Sequence, residues 1–395
     1  MQEMSINIPS GVKLLLDRLF ASGFRADVVG GCVRDTILGK SANDWDVTTS
    51  ATPDEMKQVF CDMRVIETGI KHGTLTVLVD KVPYEITSYR TDGEYSDGRH
   101  PDSVSFTRDI AEDLSRRDFT VNALAYNPRD GLTDLFGGLA DLEAGVIRAV
   151  GEADKRFSED ALRILRAIRF SSVLGFDIEE NTAAAIHRLK HLLSAVSRER
   201  ICVEWTKLLG GANAYGVINE YTDVIREFIP SLNILEMPEK GRFDFATAEI
   251  RELSLFASSA LSPEDYYSAM TELKSDNKRK LRGRAILKAV SEDTSSDIAM
   301  RRLLRKYGED IAKEAVELKI LLGREELGAR EGLLETIKGC PCHRVSDMKI
   351  GGKELLEIGI KGVRVGVTLE HLLDLIIEKE VENDKEALLD KAKAF

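Results

Sequence analysis

Two aspartates separated by one residue, Asp44 and Asp46, are the side chains in this sequence best suited to metal chemistry. On an extended strand, residues two apart point the same way, so the two carboxylates stand close together. Left unpaired they repel, and one of them resists ionisation. Divalent cations relieve that repulsion. Mg²⁺ suits a few carboxylates plus substrate phosphates, and two such ions can hold the attacking and leaving oxygens of an in-line phosphoryl transfer. An isolated Asp-x-Asp usually marks a solvated turn, and here the upstream segment Gly30-Gly31-Cys32-Val33-Arg34-Asp35 changes that reading. Its glycines let the backbone approach a ligand, N–H groups at a helix start favour phosphate, and Arg34 adds a bidentate phosphate partner. Glu85, within Tyr84-Glu85-Ile86-Thr87, reads equally as a third carboxylate of this site or as a solvent-facing glutamate.

The elements that must hold these residues alternate between helix and strand over residues 1–150. Ser10 reads as the cap of an amphipathic helix through Ala21, with Val12, Leu15, Leu16 and Leu19 on one stripe. Residues 26–29 read as a strand running into the glycine pair. Residues 74–79 and 84–89 read as two more strands, turned by Lys81-Val82-Pro83. A short helix begins at Thr52, with Pro53 in its first turn. Adjacent strands with so few helices between them imply a mixed sheet, not a doubly wound one. Past residue 150 strand signals nearly vanish. Residues 158–172, 181–195 and 198–209 show helical periodicity, and Leu369, Leu372, Leu373 and Ile376 form a later stripe. The fold class is α+β, an α/β head followed by an all-helical remainder.

A chain of 395 residues is too long for one core and implies about two to four domains. Its composition, 43% hydrophobic and 31% charged, is that of a globular protein, and no apolar run reaches the roughly 20 residues of a membrane helix. The N-terminal residues do not read as a secretory signal. The 5 cysteines are scattered, which implies reduced thiols and a cytoplasmic location. Cys340-Pro341-Cys342 lacks the second pair that a zinc site wants and reads as a structural turn. A net charge of −12 argues against nonspecific coating of nucleic acid, yet local basic patches at 163–169, 198–200, 278–288 and 301–306 permit RNA contact.

Taken together, Gly30-Gly31-x-Val33-Arg34-Asp35 followed by Asp44-x-Asp46 resembles the first motif of the bacterial-type tRNA nucleotidyltransferase and poly(A) polymerase family. Further segments resemble that family's later motifs in order. They are Arg116-Arg117-Asp118-Phe119-Thr120-Val121-Asn122-Ala123, Asp134-Leu135-Phe136-Gly137-Gly138 running to Arg148, Glu159-Asp160-Ala161-Leu162-Arg163, and Ser197-Arg198-Glu199-Arg200-Ile201. Lys349-Ile350-Gly351-Gly352-Lys353-Glu354-Leu355 resembles part of its C-terminal domain, so the likeness spans most of the chain.

The resemblance implies a polymerase-β-like nucleotidyltransferase head over residues 1–150, a helical neck over 151–210 that recognises the nucleotide base, a body over 211–330, and a tRNA-binding tail over 331–395. It implies transfer of a nucleoside monophosphate from CTP or ATP to the 3′ end of tRNA, with Mg²⁺ as cofactor, pyrophosphate as product, and no role for DNA or membrane. By the same resemblance Asp44 and Asp46 fall on the metal ligands, with Glu85 beside them. Gly31, Arg34, Arg117, Asp160, Arg163, Arg166 and Arg169 fall where the family contacts the incoming nucleotide. Residues 90–106, polar and irregular, resemble the loop that the family needs to pass from C to A addition. Complete CCA addition is therefore the leading reading. The alternatives are addition of A or CC alone, a poly(A) polymerase, and a non-catalytic RNA-binding relative.

Asp160 and Arg163 carry a physical argument of their own. Three residues apart on a helix, they project side by side. Asp accepts hydrogen bonds and Arg only donates. Cytosine and adenine both present an amino donor beside a ring acceptor, so one Asp–Arg pair satisfies both. Guanine and uracil present the reverse and leave buried groups unpaired, at about 1–3 kcal/mol each. Arg166 and Arg169 continue the series, with Arg169 drifting about half a turn from Asp160.

Overall fold

The strand Ala26–Val29 lies near the middle of its sheet and is buried along its whole length, which accounts for the apolar Ala26, Val28 and Val29. The computed structural model describes residues 6–42, 44–93, 103–232, 237–339 and 342–395. Among them a seven-stranded sheet runs in the order Arg64–Ile66, Thr74–Val79, Val82–Ser88, Val47–Thr49, Ala26–Val29, Leu124–Asn127 and Gly131–Asp134. Every neighbouring pair is antiparallel except Val47–Thr49 with Val82–Ser88. The sheet is mixed, as the sequence implies. The chain divides into two units, Met1–Phe228, which holds this sheet, and Ile229–Phe395.

The helix Ser10–Ala21 buries Val12, Leu15, Leu16 and Leu19, the expected stripe, but Pro9 occupies its cap position and Ser10 is its first residue. Thr52 caps Pro53–Val59 as expected, in a capping box with Glu55. The hairpin after Thr74–Val79 turns one step earlier than the sequence suggests. Asp80 and Lys81 both take positive φ, 50° and 68°, and Val82 and Pro83 already belong to the strand. A two-residue turn of this kind, with positive φ at both positions, excludes proline from either of them. Residues 90–106 are also less irregular than expected at their ends. Arg90–Asp92 and Val104–Phe106 pair antiparallel, and the middle of that segment, residues 94–102, lies outside the described residues.

Deep in the sheet, the fully buried Asp27 is surrounded by donors: Arg25, the Tyr89 hydroxyl at 2.6 Å and the Asn127 amide at 2.6 Å. A buried carboxylate costs several kcal/mol unless so satisfied. Thr120, buried in the short 3₁₀ turn Thr120–Asn122, donates to Asp141 at 2.6 Å, and Arg148 donates to the same carboxylate at 3.1 Å. The helix Gly138–Ala144 that carries Asp141 starts where the Asp134 carboxylate accepts from the N–H groups of Gly138 and Leu139. A Cβ on Gly138 would lie 2.3 Å from the Thr120 carbonyl oxygen. Gly138→Ala is therefore expected to destabilise the fold by about 2 kcal/mol through overpacking. Urea unfolding checks this, and an unchanged midpoint would show that the helix shifts freely.

After Asp134, the strand content of the first unit's described residues falls to Val146–Ile147 paired in parallel with Asp177–Ile178. The helix expected over 158–172 is two helices, Ala153–Glu159 and Leu162–Leu174, broken at Asp160, whose φ −142° and ψ 102° are extended. Arg198–Leu209 is a helix with the expected bounds. The second unit is helical throughout its described residues. Leu369, Leu372, Leu373 and Ile376 form the expected stripe of Val363–Ile377 and pack with Cys342, Leu355 and Leu388. Cys340 lies outside the described residues, and Cys32 and Cys61 are free thiols. Among the described residues no helix is long and apolar enough to cross a membrane.

Candidate active site

Two glycines set the geometry of the first motif. Gly30, at φ 80°, ends the strand Ala26–Val29 and opens the helix Gly31–Ile37. A Cβ at Gly30 would lie 3.2 Å from Arg117 Nη1, and one at Gly31 would lie 3.6 Å from Arg34 Nη2. The pair thus leaves room for two guanidinium groups beside one turn of backbone. Arg34 is buried and donates through Nε to Asp35 at 2.8 Å and through Nη1 to the Asn122 side-chain oxygen at 2.6 Å.

Asp44 and Asp46 precede a strand instead of lying on one. Regular pairing begins at Val47, because the partner strand turns away at Gly30. The Asp46 carbonyl accepts from the Val29 N–H at 3.1 Å, the last rung of that ladder. Exposure still alternates, Asp44 and Asp46 exposed and Trp45 half-buried between them, as two carboxylates on one side require. Glu85 is exposed on the neighbouring strand Val82–Ser88, one residue before Ile86, which pairs with Val47. All three acids line a cavity of about 750 Å³ with Thr76 and Tyr84. The protein wall around Asp46 raises its carboxyl above the ordinary value; Arg117 opposes the rise, and Glu85 and Asp44 add to it. Among the described residues no three acidic, histidine or cysteine side chains stand in a ready-made metal cluster. The donor set is all oxygen and its negative charge is incompletely balanced, which fits a hard divalent cation.

The helix Leu162–Leu174 brings the remaining arginines to the same region. Arg166 donates through Nε and Nη2 to Asp118 at 2.8 and 2.6 Å, and Asp118 also accepts from the Asn122 amide at 3.1 Å. Asn122 in turn meets Arg34, so the first, second and fourth motifs touch through Asp118 and Asn122. Arg169 donates to Glu204 at 2.9 Å and lies over the Phe170 ring. Arg117 pairs with the buried Asp113 at 3.4 Å. Burial opposes ionisation of Asp113, yet Arg116 and Arg117 hold its carboxyl below the usual range.

Asp160 and Arg163 do not project side by side from one helix, as their spacing suggests. Asp160 sits in the extended break, where Oδ1 accepts from the Leu162 N–H at 3.1 Å and Oδ2 from Arg200 Nη2 at 2.7 Å. Arg163 lies in the following helix and donates to Glu159 at 2.6 Å and to the carbonyls of Arg156 and Arg116 at 3.0 Å. Both are only partly buried. Asp113, Asp118, Asn122, Phe170, Arg200 and Glu204 were not singled out from the sequence. Asp118 and Asn122 stand four residues apart inside the second motif, a signal that could have found them. Glu204 offered none.

Asp118 gives the site a measurable pH dependence. Burial alone would raise its carboxyl, but the Arg166 charge and bonds from Asn122, Arg166 and the Phe119 N–H hold it at about 2. That lies below the ordinary aspartate value of about 3.9. Ionised Asp118 therefore stabilises the fold fully above about pH 4, and the contribution is lost as pH falls towards about 2. Asp118→Asn is expected to cost about 2 kcal/mol at neutral pH and progressively less below about pH 4. Thermal unfolding at the two ends of that range reads the difference, and an equal cost at both would refute it.

The chain as a whole is similar to known proteins. A family model described as the poly A polymerase head domain matches residues 26–148. One described as a probable RNA and SrmB-binding site of polymerase A matches residues 175–232, and a putative tRNA nucleotidyltransferase domain 2 matches residues 246–392. The CCA-adding enzyme of Pediococcus pentosaceus is 36% identical over 386 residues, 96% of each chain. That of Lactobacillus delbrueckii subsp. bulgaricus is 38% identical over 389 residues, 95% of each chain. The crystal structure of the Bacillus stearothermophilus CCA-adding enzyme in complex with CTP superposes with a TM-score of 0.81 at 31% identity, covering 97% of both chains. The Thermotoga maritima CCA-adding enzyme complexed with tRNA shares the fold at a TM-score of 0.71 and 22% identity, covering 99% of both chains.

Proposed function

The chain belongs to the CCA-adding family of tRNA nucleotidyltransferases, and we propose that the site described above carries out that family's reaction with the carboxylates and arginines named there. The enzyme adds CCA to the 3′ end of tRNA without a nucleic-acid template, using CTP and ATP and releasing pyrophosphate. The observation that carries our reading of the site is the Asp118–Arg166 contact. It joins the unit's sheet-bearing part to the helix of the fourth motif, so that Arg34 and Arg166 meet through Asn122 and Asp118, with Arg117 beside Gly30.

In this reading Arg34, Arg117, Arg166 and Arg169 hold the triphosphate, with Gly31 giving it room against the backbone. Asp160 and Arg163 meet the edge of the base. Asp44 and Asp46 hold Mg²⁺, with Glu85 contributing the third negative charge, and the ion when bound supplies charge neutralisation at the reacting phosphate and its oxygens. The tRNA 3′ hydroxyl gives up its proton to solvent water as its oxygen forms a bond to the α-phosphorus and the bond to the bridging oxygen of the β-phosphate breaks, and the pyrophosphate leaves towards the arginines. Their fixed positive charges match the charge that moves onto the leaving group.

The division into head, neck, body and tail, at 1–150, 151–210, 211–330 and 331–395, is part of this proposal, as is a cytoplasmic location. Of the basic patches, 301–306 is neutralised by acids: Arg301, Arg302, Arg305 and Lys306 pair with Asp297, Glu378, Glu370 and Glu292. Within 278–288, Arg279, Arg282 and Lys288 are likewise paired. Arg284 lies against Tyr267 and remains the better candidate for RNA contact, whereas Lys280, against the same ring, is buried.

The test incubates the enzyme with tRNAs ending before, within and after CCA, supplying CTP and ATP separately and together. Stepwise completion to CCA and no further is the expected pattern. Addition of A alone, CC alone, or an extending A tract would each overturn it.

A further inference from the structure

Three guanidinium groups from two helices converge on one buried aromatic ring. The Cζ atoms of Arg34, Arg166 and Arg169 lie 5.1, 5.3 and 3.5 Å from the centroid of Phe170, which is 5% exposed. Arg34 comes from the helix Gly31–Ile37, the other two from Leu162–Leu174. Phe119, fully buried, meets the same ring edge-on at 5.8 Å and 79° and so fixes its plane. A second regularity accompanies the first. Each guanidinium gives its Nε to a carboxylate, Arg34 to Asp35, Arg166 to Asp118 and Arg169 to Glu204, at 2.8, 2.8 and 2.9 Å.

Gathering three cations within a few ångströms is opposed by their mutual repulsion. Further carboxylates would relieve it, but each would occupy N–H donors that a phosphate ligand needs. The face of an aromatic ring attracts cations through its quadrupole and takes no N–H donor. Its apolar surroundings strengthen that attraction.

We propose that Phe170 is a positioning residue for the nucleotide triphosphate: its ring gathers Arg34, Arg166 and Arg169 into one cationic cluster without itself taking any of their N–H donors. The inference rests on the reading that these arginines hold the triphosphate. It assigns Phe170 no contact with the base, so affinity and base choice must separate.

The experiment compares Phe170→Leu, Phe170→Met, Phe170→Tyr and Phe170→Trp with Arg166→Ala as the control. KM and kcat are measured for CTP and ATP, together with inhibition by inorganic tripolyphosphate. Leu and Met fill the space without a π face and are expected to raise KM for both nucleotides, and the inhibition constant for tripolyphosphate, by a common factor of roughly ten. Preference for C and A over U and G stays unchanged, and the aromatic variants recover most of the loss. Unchanged KM in Leu and Met, a loss confined to one nucleotide, or equal loss in Tyr and Trp would overturn the inference. Failure of both Leu and Met variants to fold would overturn it too, by making the ring a packing element. If Arg166→Ala itself leaves KM unchanged, the underlying reading of the arginines is what fails.

Discussion

Replacing Asp44 and Asp46 together by alanine is expected to abolish nucleotide incorporation, by roughly a thousand-fold or more, while leaving the protein folded. The two halves of that result follow from one geometry. Both side chains are exposed, so their removal creates no cavity, and surface changes of this kind typically shift stability by less than about 0.5 kcal/mol. The carboxyl of Asp46 is held above its ordinary value by surrounding protein and by the charges of Glu85 and Asp44. A residue pair whose loss kills activity and spares stability is functional in the strict sense. Incorporation of labelled CTP into tRNA across a Mg²⁺ titration, with thermal unfolding alongside, reads both halves. Incorporation persisting within ten-fold of the unmodified enzyme would sink the assignment. Glu85→Gln in the same titration decides between the two readings of that residue. A third acid of the site raises the Mg²⁺ requirement, and a merely solvent-facing glutamate leaves it alone.

What the sequence made legible here is what is local. The stripe of Ser10–Ala21, the strand Ala26–Val29 and the helix Arg198–Leu209 depend on periodicity and on turn residues within a few positions, and their extents agree with expectation. The motifs supplied the arginines and aspartates of the site as types. They did not supply contacts between segments. Asp27 reads as an ordinary strand residue, yet it is a buried charge satisfied by Tyr89 and Asn127, far along the chain. Phe170 reads as one more apolar helix position, and Glu204 as a charge on an amphipathic face. Each takes its role from partners that only the fold brings near. The break at Asp160 has the same origin. The apolar positions within residues 158–172 begin at Ala161, past the break, so their helical periodicity carries no sign of it. What opens the backbone there is a set of long-range bonds, Arg200 to Asp160 and Arg163 to the Arg116 carbonyl.

That break sharpens the second large expectation, a loss of base selection in Asp160→Ala. Were Asp160 and Arg163 on one continuous helix, their separation would be fixed by helix geometry. With Asp160 in extended backbone, each is positioned by its own partners. Asp160 is held by Arg200 at 2.7 Å and by the Leu162 N–H at 3.1 Å, and Arg163 by Glu159 at 2.6 Å and by two carbonyls. A carboxylate held in place by Arg200 offers acceptor oxygens, which is what the amino groups of cytosine and adenine require. Alanine removes the acceptor and with it the penalty that uracil and guanine incur against it, about 1–3 kcal/mol. Discrimination of C and A over U and G is therefore expected to fall by roughly 10- to 100-fold in kcat/KM. Asp160→Asn goes further, since its amide can donate to the carbonyls of uracil and guanine, and is expected to favour them relative to the alanine variant. Arg200→Ala frees the carboxylate without removing it and should relax selection less than either. Single-nucleotide incorporation from each of the four triphosphates, onto tRNA ending before CCA, gives the ratios directly. If all four rates fall together and the ratios hold, Asp160 merely supports the start of Leu162–Leu174 through its bond to the Leu162 N–H, and base choice lies elsewhere.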